Sequence, residues 1–290
     1  METLDKFYTA AERGIKDLGL EKYALEIELN GFTVVPPDVT GVSEDVIDHL
    51  RDLLLEKSEE LVGCRFSVEE GPACELDYGD YKGTLERQSG VKPSQFQLMQ
   101  LCTFHRAFRD LAVNPVASQL MQLILGGMAR FSSHNCFVKW AGEGYGESLG
   151  LHCDQLPWGR ALAANCNWVL TDYTRENGAF ACVPGSHRFD CAPVMPKAVE
   201  QAIPVECPKG SLIAFHGQLW HGAYPRTTPG LRVTISNYFR HAAMLPQDDI
   251  PNHFPRELAD DCVNPELFKE FAGFGVPYQR QALPLPRAGT

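Results

Sequence analysis

The sequence predicts a mainly β protein, a sandwich or barrel flanked by α-helices, and three observations carry that reading. After residue 129, short β-type runs alternate with Gly/Pro turns at 130–140, 148–154, 164–171, 179–183, 210–216, 219–224 and 231–239. Strands at this density, with no helical segments between them, argue against βαβ units. The 25 glycines and 20 prolines among 290 residues supply turns for many short elements. Helical periodicity is confined to the first 128 residues and one segment of the tail.

Taken in order, Gly31-Phe32-Thr33-Val34-Val35-Pro36 reads as a short apolar strand closed by proline. Ser43, followed by Glu44 and Asp45, is an N-cap with acidic first-turn residues that suit the helix dipole. Val46, Leu50, Leu53, Leu54 and Leu61 then recur at helical spacing, so 44–62 reads as an amphipathic helix. A second helical stretch, 105–125, is interrupted at Asn114-Pro115, where Asn caps and Pro opens a new helix that stops at Gly126-Gly127. The β core is expected over about 129–240. The tail, 241–290, carries one helix from Pro265 to Ala272 and otherwise reads as irregular. No repeat or linker divides the chain, so 1–290 reads as one domain with helical decoration over about 1–128.

Charge narrows the functional classes. Asp and Glu number 37 against 26 Lys and Arg, a net charge of −11 with no basic run, which argues against nucleic acid as a partner. No apolar run approaches the roughly 18 residues of a membrane span, and the N-terminal residues have no secretory apolar region. The last residues, Arg287-Ala288-Gly289-Thr290, are not a peroxisomal address. Ten cysteines are scattered without a C-x-x-C pair. They read as reduced, mostly buried thiols of a cytoplasmic protein.

The chemistry starts at His152-Cys153-Asp154. On a strand, residues two apart face the same way at roughly 6.6 Å, so His152 and Asp154 converge on one metal while Cys153 points away. A third ligand is available in His221, which precedes the turn Pro225-Arg226-Thr227-Thr228-Pro229-Gly230. If that turn closes a symmetric antiparallel hairpin, His221 faces Thr234, Ala223 faces Arg232, and His221, Arg232, Thr234 and Ser236 share a face. Two imidazoles and one carboxylate with open positions is the donor set of non-haem Fe(II) oxygenases. Such a centre carries about one positive charge and attracts a dianionic 2-oxo acid, whose distal carboxylate suits the planar fork of Arg232.

The same residues resemble a family. His152-Cys153-Asp154, Trp168-Val169-Leu170-Thr171-Asp172, Glu176-Asn177-Gly178-Ala179, Val183-Pro184-Gly185-Ser186-His187, and His221 with Arg232 eleven positions later resemble the phytanoyl-CoA dioxygenase family over residues 130–240. Gly31-Phe32-Thr33-Val34-Val35 is similar to the family's opening strand. The resemblance implies a double-stranded β-helix (cupin-like jelly roll) core with N-terminal and flanking helices. It also implies Fe(II) held by His152, Asp154 and His221, 2-oxoglutarate anchored by Arg232, and Trp168 lining the co-substrate pocket. Thr234 joins that pocket on the hairpin register. The implied activity is an Fe(II)- and 2-oxoglutarate-dependent dioxygenase that uses O2 to oxidise a C–H bond of a small organic molecule, releasing succinate and CO2. A secondary-metabolite or lipid-like substrate is expected. Halogenating relatives have a small residue at the position of Asp154, so hydroxylation or desaturation is the expected outcome. Cys153, Phe180 and Ala223 depart from residues common in the family (Gln, a polar residue and Ser), which bears on secondary contacts to 2-oxoglutarate.

Two alternatives compete: a cupin-type metal enzyme that uses no 2-oxoglutarate, and a silent binding protein of the same fold. Arg232 with the ordered motifs argues against the first, and the intact triad against the second. His216 is a rival distal ligand whose spacing to Arg232 does not fit, and His187 reads as a structural turn residue. Asn135 and Lys139 share a strand face with Phe131, Ser133 and Phe137. Trp140, Tyr145, Trp158 and Trp220 are aromatic candidates for a substrate mouth, with ordinary packing the favoured reading. The loop Gly142-Glu143-Gly144-Tyr145-Gly146 could act as a lid before the ligands.

Overall fold

Period-2 patterning builds two facing antiparallel sheets. The structure is a computed structural model that describes residues 12–76, 94–142, 146–155 and 159–274. Its strands are β1 (Phe32–Val35), β2 (Phe66–Ser67), β3 (Gly71–Pro72), β4 (Gln95–Leu98), β5 (Ala129–Lys139), β6 (Ala163–Val169), β7 (Phe180–Cys182), β8 (Ile203–Val205), β9 (Leu212–His216), β10 (His221–Ala223) and β11 (Arg232–His241). Six of them form one sheet in the order β1-β9-β6-β11-β5-β4, three form a second in the order β10-β7-β8, and β2 pairs with β3. Every pairing is antiparallel. This is the expected double-stranded β-helix.

Alternation sorts the large sheet's side chains between two cores. On its outer face, Phe96, Val138, Cys166, Trp168, Leu212 and Ile235 pack with helical residues such as Ile47, Leu50, Leu54 and Leu120. On its inner face, Val169, Ile213 and Phe215 meet Phe180, Cys182 and Val205 of the small sheet. The helices stand where expected, at Glu44–Val62, Pro115–Ile124 and Pro265–Phe271. Ser43 Oγ accepts from the Val46 amide at 3.4 Å, and Asn114 Oδ1 accepts from those of Val116 and Ala117 at 3.0 and 3.1 Å. Such caps are each worth about 1 kcal/mol. No helix among the described residues is long and apolar enough to cross a membrane.

Four expectations are corrected. The segment 148–154 is not a regular strand: His152 forms one isolated bridge, to His221, and residues Gly146–Ser148 are a 3-10 turn. β10 and β11 do not form a hairpin. β10 pairs with β7 in the small sheet, whereas β11 lies between β5 and β6, so the turn after Tyr224 carries the chain from one sheet to the other. The prolines and the Arg226 bonds to the carbonyls of Asn177 and Pro229 hold that crossing rather than a tight hairpin. Cys64 and Cys74 are disulfide-bonded, because the β2–β3 hairpin brings their Cα atoms to 6.0 Å; the other eight thiols are free and six of them buried. Phe131 does not share the face of Ser133: the β5–β11 register shifts at Tyr238/Phe239, leaving Ser132 as an extra residue. Phe131 therefore packs with Phe239, Phe268 and Phe271.

Candidate metal centre

The segment carrying His152 and Asp154 is held on the small sheet by main-chain bonds. His152 and His221 exchange both N–H···O bonds at 2.9 Å, the Ala223 amide donates to Leu149 O at 3.0 Å, and the Asp154 amide donates to Gly217 O at 2.7 Å. Gly222 permits this approach, because a Cβ there would sit 2.1 Å from Leu149 O. The side chains of His152, Asp154 and His221 consequently meet, with one ligand atom from each all within 4.8 Å. His152 Nε2 lies 3.5 Å from Asp154 Oδ1 and His221 Nε2 lies 3.6 Å from Asp154 Oδ2.

Hydrogen bonds behind the triad orient its rings. His152 Nδ1–H donates to Gly150 O at 2.8 Å, and His221 Nδ1–H donates to Leu219 O at 2.9 Å. A carbonyl only accepts, so each ring carries a proton on Nδ1 and turns its Nε2 to the carboxylate. Burial pulls His221 below the ordinary histidine range, and His152 adds to that against the opposing pull of Asp154. For Asp154, burial acts upward but is outweighed by the two imidazoles and by Asn165, so its carboxyl lies below the usual range. Asn165 Nδ2 donates to Asp154 Oδ2 at 2.6 Å. Two imidazole nitrogens and one carboxylate thus converge. That donor set fits a divalent cation.

The triad opens on a cavity of about 470 Å³ between the sheets. Side chains alternate along β11, so Arg232, Thr234, Ser236 and Tyr238 all line it. The grouping of His221, Arg232, Thr234 and Ser236 thus holds, although across two sheets rather than one hairpin. Arg232 is buried, donates from Nη1 to Gly178 O at 2.9 Å, and stands 5.2 Å from the Tyr173 ring centre. Its Nε has no partner among the described residues, an orphaned donor that fits an anion in the cavity. Tyr173 OH and Thr234 Oγ1 are hydrogen-bonded beside it.

The remaining candidates fall on either side of this wall. Trp168 is fully buried on the outer face of β6 in the helix-covered core, while its neighbour Asn167 and Asn165 line the cavity. The expected role of Trp168 at the co-substrate is therefore replaced by a packing position. His216 pairs instead with His187, ring centres 5.5 Å apart, on a separate cavity. Ser133, Asn135 and Phe137 line the central cavity, whereas Lys139 is buried and donates to Tyr224 O at 2.9 Å. Trp140 and Trp220 are packed in apolar clusters. Tyr145, Trp158 and the lid residues 143–145 lie outside the described residues. Sequence reasoning missed Asn165, Tyr173, Gln95, Gln97, Gln247 and Asp248. The alternation Gln95-Phe96-Gln97-Leu98 signalled the first glutamine pair, since it is the period of a half-buried strand.

Comparison with known proteins follows the same lines. The dioxygenase af480 of Aspergillus fumigatus is 29% identical over 182 residues, which cover 60% of this chain and 58% of that protein. The chain thus spans under two thirds of that relative's length. Two solved structures share the fold. One is the epimerase SnoN in complex with Fe3+, α-ketoglutarate and nogalamycin RO (17% identity, TM-score 0.56, covering 79% of this chain and 87% of that one). The other is HygX of Streptomyces hygroscopicus with nickel and 2-oxoglutarate bound (15% identity, TM-score 0.55, covering 78% and 88%). The family description of phytanoyl-CoA dioxygenase matches residues 27–234, a stretch that runs from before β1 to Thr234 and includes His152, Asp154, His221 and Arg232. The chain belongs to the phytanoyl-CoA dioxygenase family.

Proposed function

We propose that this protein is an Fe(II)- and 2-oxoglutarate-dependent dioxygenase that oxidises a C–H bond of a small organic molecule, releasing succinate and CO2. The observation that carries the reading is one cavity holding both the three converging ligand atoms and the buried, part-unpaired Arg232. His152 and His221 would hold the iron through Nε2 and Asp154 through its carboxylate, while Arg232 would receive the distal carboxylate of 2-oxoglutarate. The iron and its 2-oxo acid supply the activation of O2 and the oxidising power. Family membership supports this assignment, as do the metal and 2-oxoglutarate found in structures of the same fold.

The chain's own residues do the positioning. The carbonyls of Gly150 and Leu219 fix both imidazole tautomers, and the Asn165 amide holds the Asp154 carboxylate. Phe180 and Phe215 flank His221, with ring centres 5.5 and 4.7 Å away, and keep water from its buried side. Tyr173 backs the guanidinium of Arg232 through its ring and is itself oriented by Thr234. An anion held there is steered by a charge in a low-dielectric wall and stays in one orientation toward the triad.

The test is anaerobic titration of the metal-free protein with Fe(II) and then 2-oxoglutarate, read by the weak visible charge-transfer band. A band that needs both additions and is lost in Asp154→Ala supports the reading. Iron binding without a band points to an oxo-acid-independent enzyme, and absence of iron binding to a silent binding protein.

A further inference from the structure

Farther along β11 from Arg232, where Asn135 and Asn167 flank Ser236 on the neighbouring strands, the cavity is rich in acceptors that find no donor among the described residues. Asn135, 7% exposed, donates from Nδ2 to Ser133 Oγ at 3.2 Å, and Ser133 Oγ donates on to Gln247 Oε1 at 2.8 Å. That direction of donation leaves Asn135 Oδ1 as an acceptor, buried and without a partner among the described residues. Asn167 Oδ1 and Asp248 Oδ2 are likewise buried and without a partner among the described residues, and all three residues line the cavity. Leaving a buried acceptor unmet costs about 1–3 kcal/mol, so three on one wall suit a ligand that brings donors in place of water.

The wall is built, not incidental. Ser132, the extra residue of the β5 bulge, receives the Gln247 amide on Oγ at 3.0 Å and the Asp248 amide on its carbonyl at 2.9 Å. These two bonds bring the chain after β11 over the cavity. Gln247 and Asp248 lie beyond residue 234, where the match to the family ends, whereas Ser133, Asn135 and Asn167 lie within it. It adjoins the triad, since Tyr238 pairs with Ser133 and donates through its hydroxyl to Asp154 O at 3.3 Å.

Charge then selects among donors. Apart from the two imidazoles and the tyrosines, the ionisable side chains lining the cavity among the described residues are Asp154, Asp248 and Arg232. With iron and 2-oxoglutarate in place, the metal and Arg232 balance Asp154 and the dianionic co-substrate. Asp248 alone is left without a counter-charge, and burial pushes its carboxyl upward with no cation to oppose it. We propose that the substrate is a small hydrophilic cation whose protonated amine pairs with Asp248, and whose hydroxyl or N–H groups donate to Asn135 and Asn167. This inference rests on the iron and 2-oxoglutarate reading of the same site. It replaces the expectation of a lipid-like substrate, whose apolar surface would leave every one of these acceptors unmet.

The experiment compares matched pairs that exchange an ammonium for a hydroxyl: glucamine against sorbitol, and cyclohexylamine against cyclohexanol. Each is titrated calorimetrically into the protein preloaded anaerobically with Fe(II) and 2-oxoglutarate, wild type and Asp248→Asn. In wild type, at least one amine binds roughly tenfold more tightly than its neutral counterpart, a difference of about 1.4 kcal/mol, and in Asp248→Asn the two agree within about twofold. Equal affinities within both pairs in wild type, no binding of either amine, or a preference that survives Asp248→Asn overturns the proposal. The visible band, recorded before any probe is added, separates the two readings. Its absence counts against iron and 2-oxoglutarate, whereas a normal band with no amine preference counts against the cationic substrate alone. A normal band in Asp248→Asn also reports that the variant is folded and loaded.

Discussion

Gly222→Ala should disable the metal centre without touching a ligand. The added Cβ would lie 2.1 Å from Leu149 O and 3.0 Å from Gly150 C, both backbone atoms. Real Cβ contacts stay above 3.0 Å, so the 149–150 segment must recede by about 1 Å. That segment leads directly to His152, and its hold on β10 consists of the His152–His221 exchange and the Ala223–Leu149 bond. Overpacking of this kind costs about 1–3 kcal/mol of stability. A displacement of about 1 Å at a reacting centre costs on the order of 100-fold in turnover. The assay pairs urea unfolding with anaerobic Fe(II) titration of the same preparation. The expected result is a modest loss of stability with iron affinity down at least tenfold. Wild-type iron affinity in a folded Gly222→Ala protein would refute the claim that this close approach sets the position of His152.

Three further outcomes follow from the geometry. Arg232→Ala should raise the 2-oxoglutarate concentration needed for the visible band by at least about tenfold while leaving Fe(II) affinity within about twofold, because a bidentate carboxylate partner is removed far from the ligand atoms; equal co-substrate affinity in both proteins sinks the anchor assignment. Asn165→Ala frees the Asp154 oxygen that its amide now holds at 2.6 Å, and should weaken iron binding about 10- to 100-fold with little change in melting temperature; an unchanged iron Kd would show that the carboxylate is held by other means. Burial, with His187 alongside, holds His216 at about 4. An unfolded histidine titrates near 6.5, so the unfolded chain binds the extra proton and stability falls as pH drops from about 6.5 towards 4. His216→Asn should remove about 2–3 kcal/mol of that loss between pH 7 and 4.5 in urea unfolding; an unaltered pH slope contradicts a neutral buried His216.

Some of this architecture is written locally. The Ser43 cap, the Asn114-Pro115 break and the helix at Pro265 rest on neighbouring residues, so spacing and capping chemistry located them. Strands with continuous pairing, such as β5 and β11, were legible for the same reason. The candidate donor set was legible because a metal demands ligand types, and His152, Asp154 and His221 are of those types. The expected hairpin shows the limit. Its alternation was right, and alternation alone puts Arg232, Thr234 and Ser236 on one face, yet the partner strand was wrong because a six-residue turn can close a hairpin or cross between sheets.

Residues that act through distant neighbours were invisible. Asn165 holds Asp154 from another strand, and Asp248 reaches the cavity only because a bulge at Ser132 offers two acceptors to a segment more than a hundred residues away. Trp168 and Asn167 are adjacent in sequence, and which of them faced the cavity depended on which side of the sheet the helices covered. By itself the sequence determined the fold class and offered the candidate ligand types and the candidate anchor Arg232, since these follow from periodicity and side-chain chemistry. The tertiary structure alone decided which faces enclose the cavity, which carbonyls orient the imidazoles, and which acceptors on the cavity wall lack a partner among the described residues. Those depend on pairing between segments far apart in the chain, where no local rule fixes the choice.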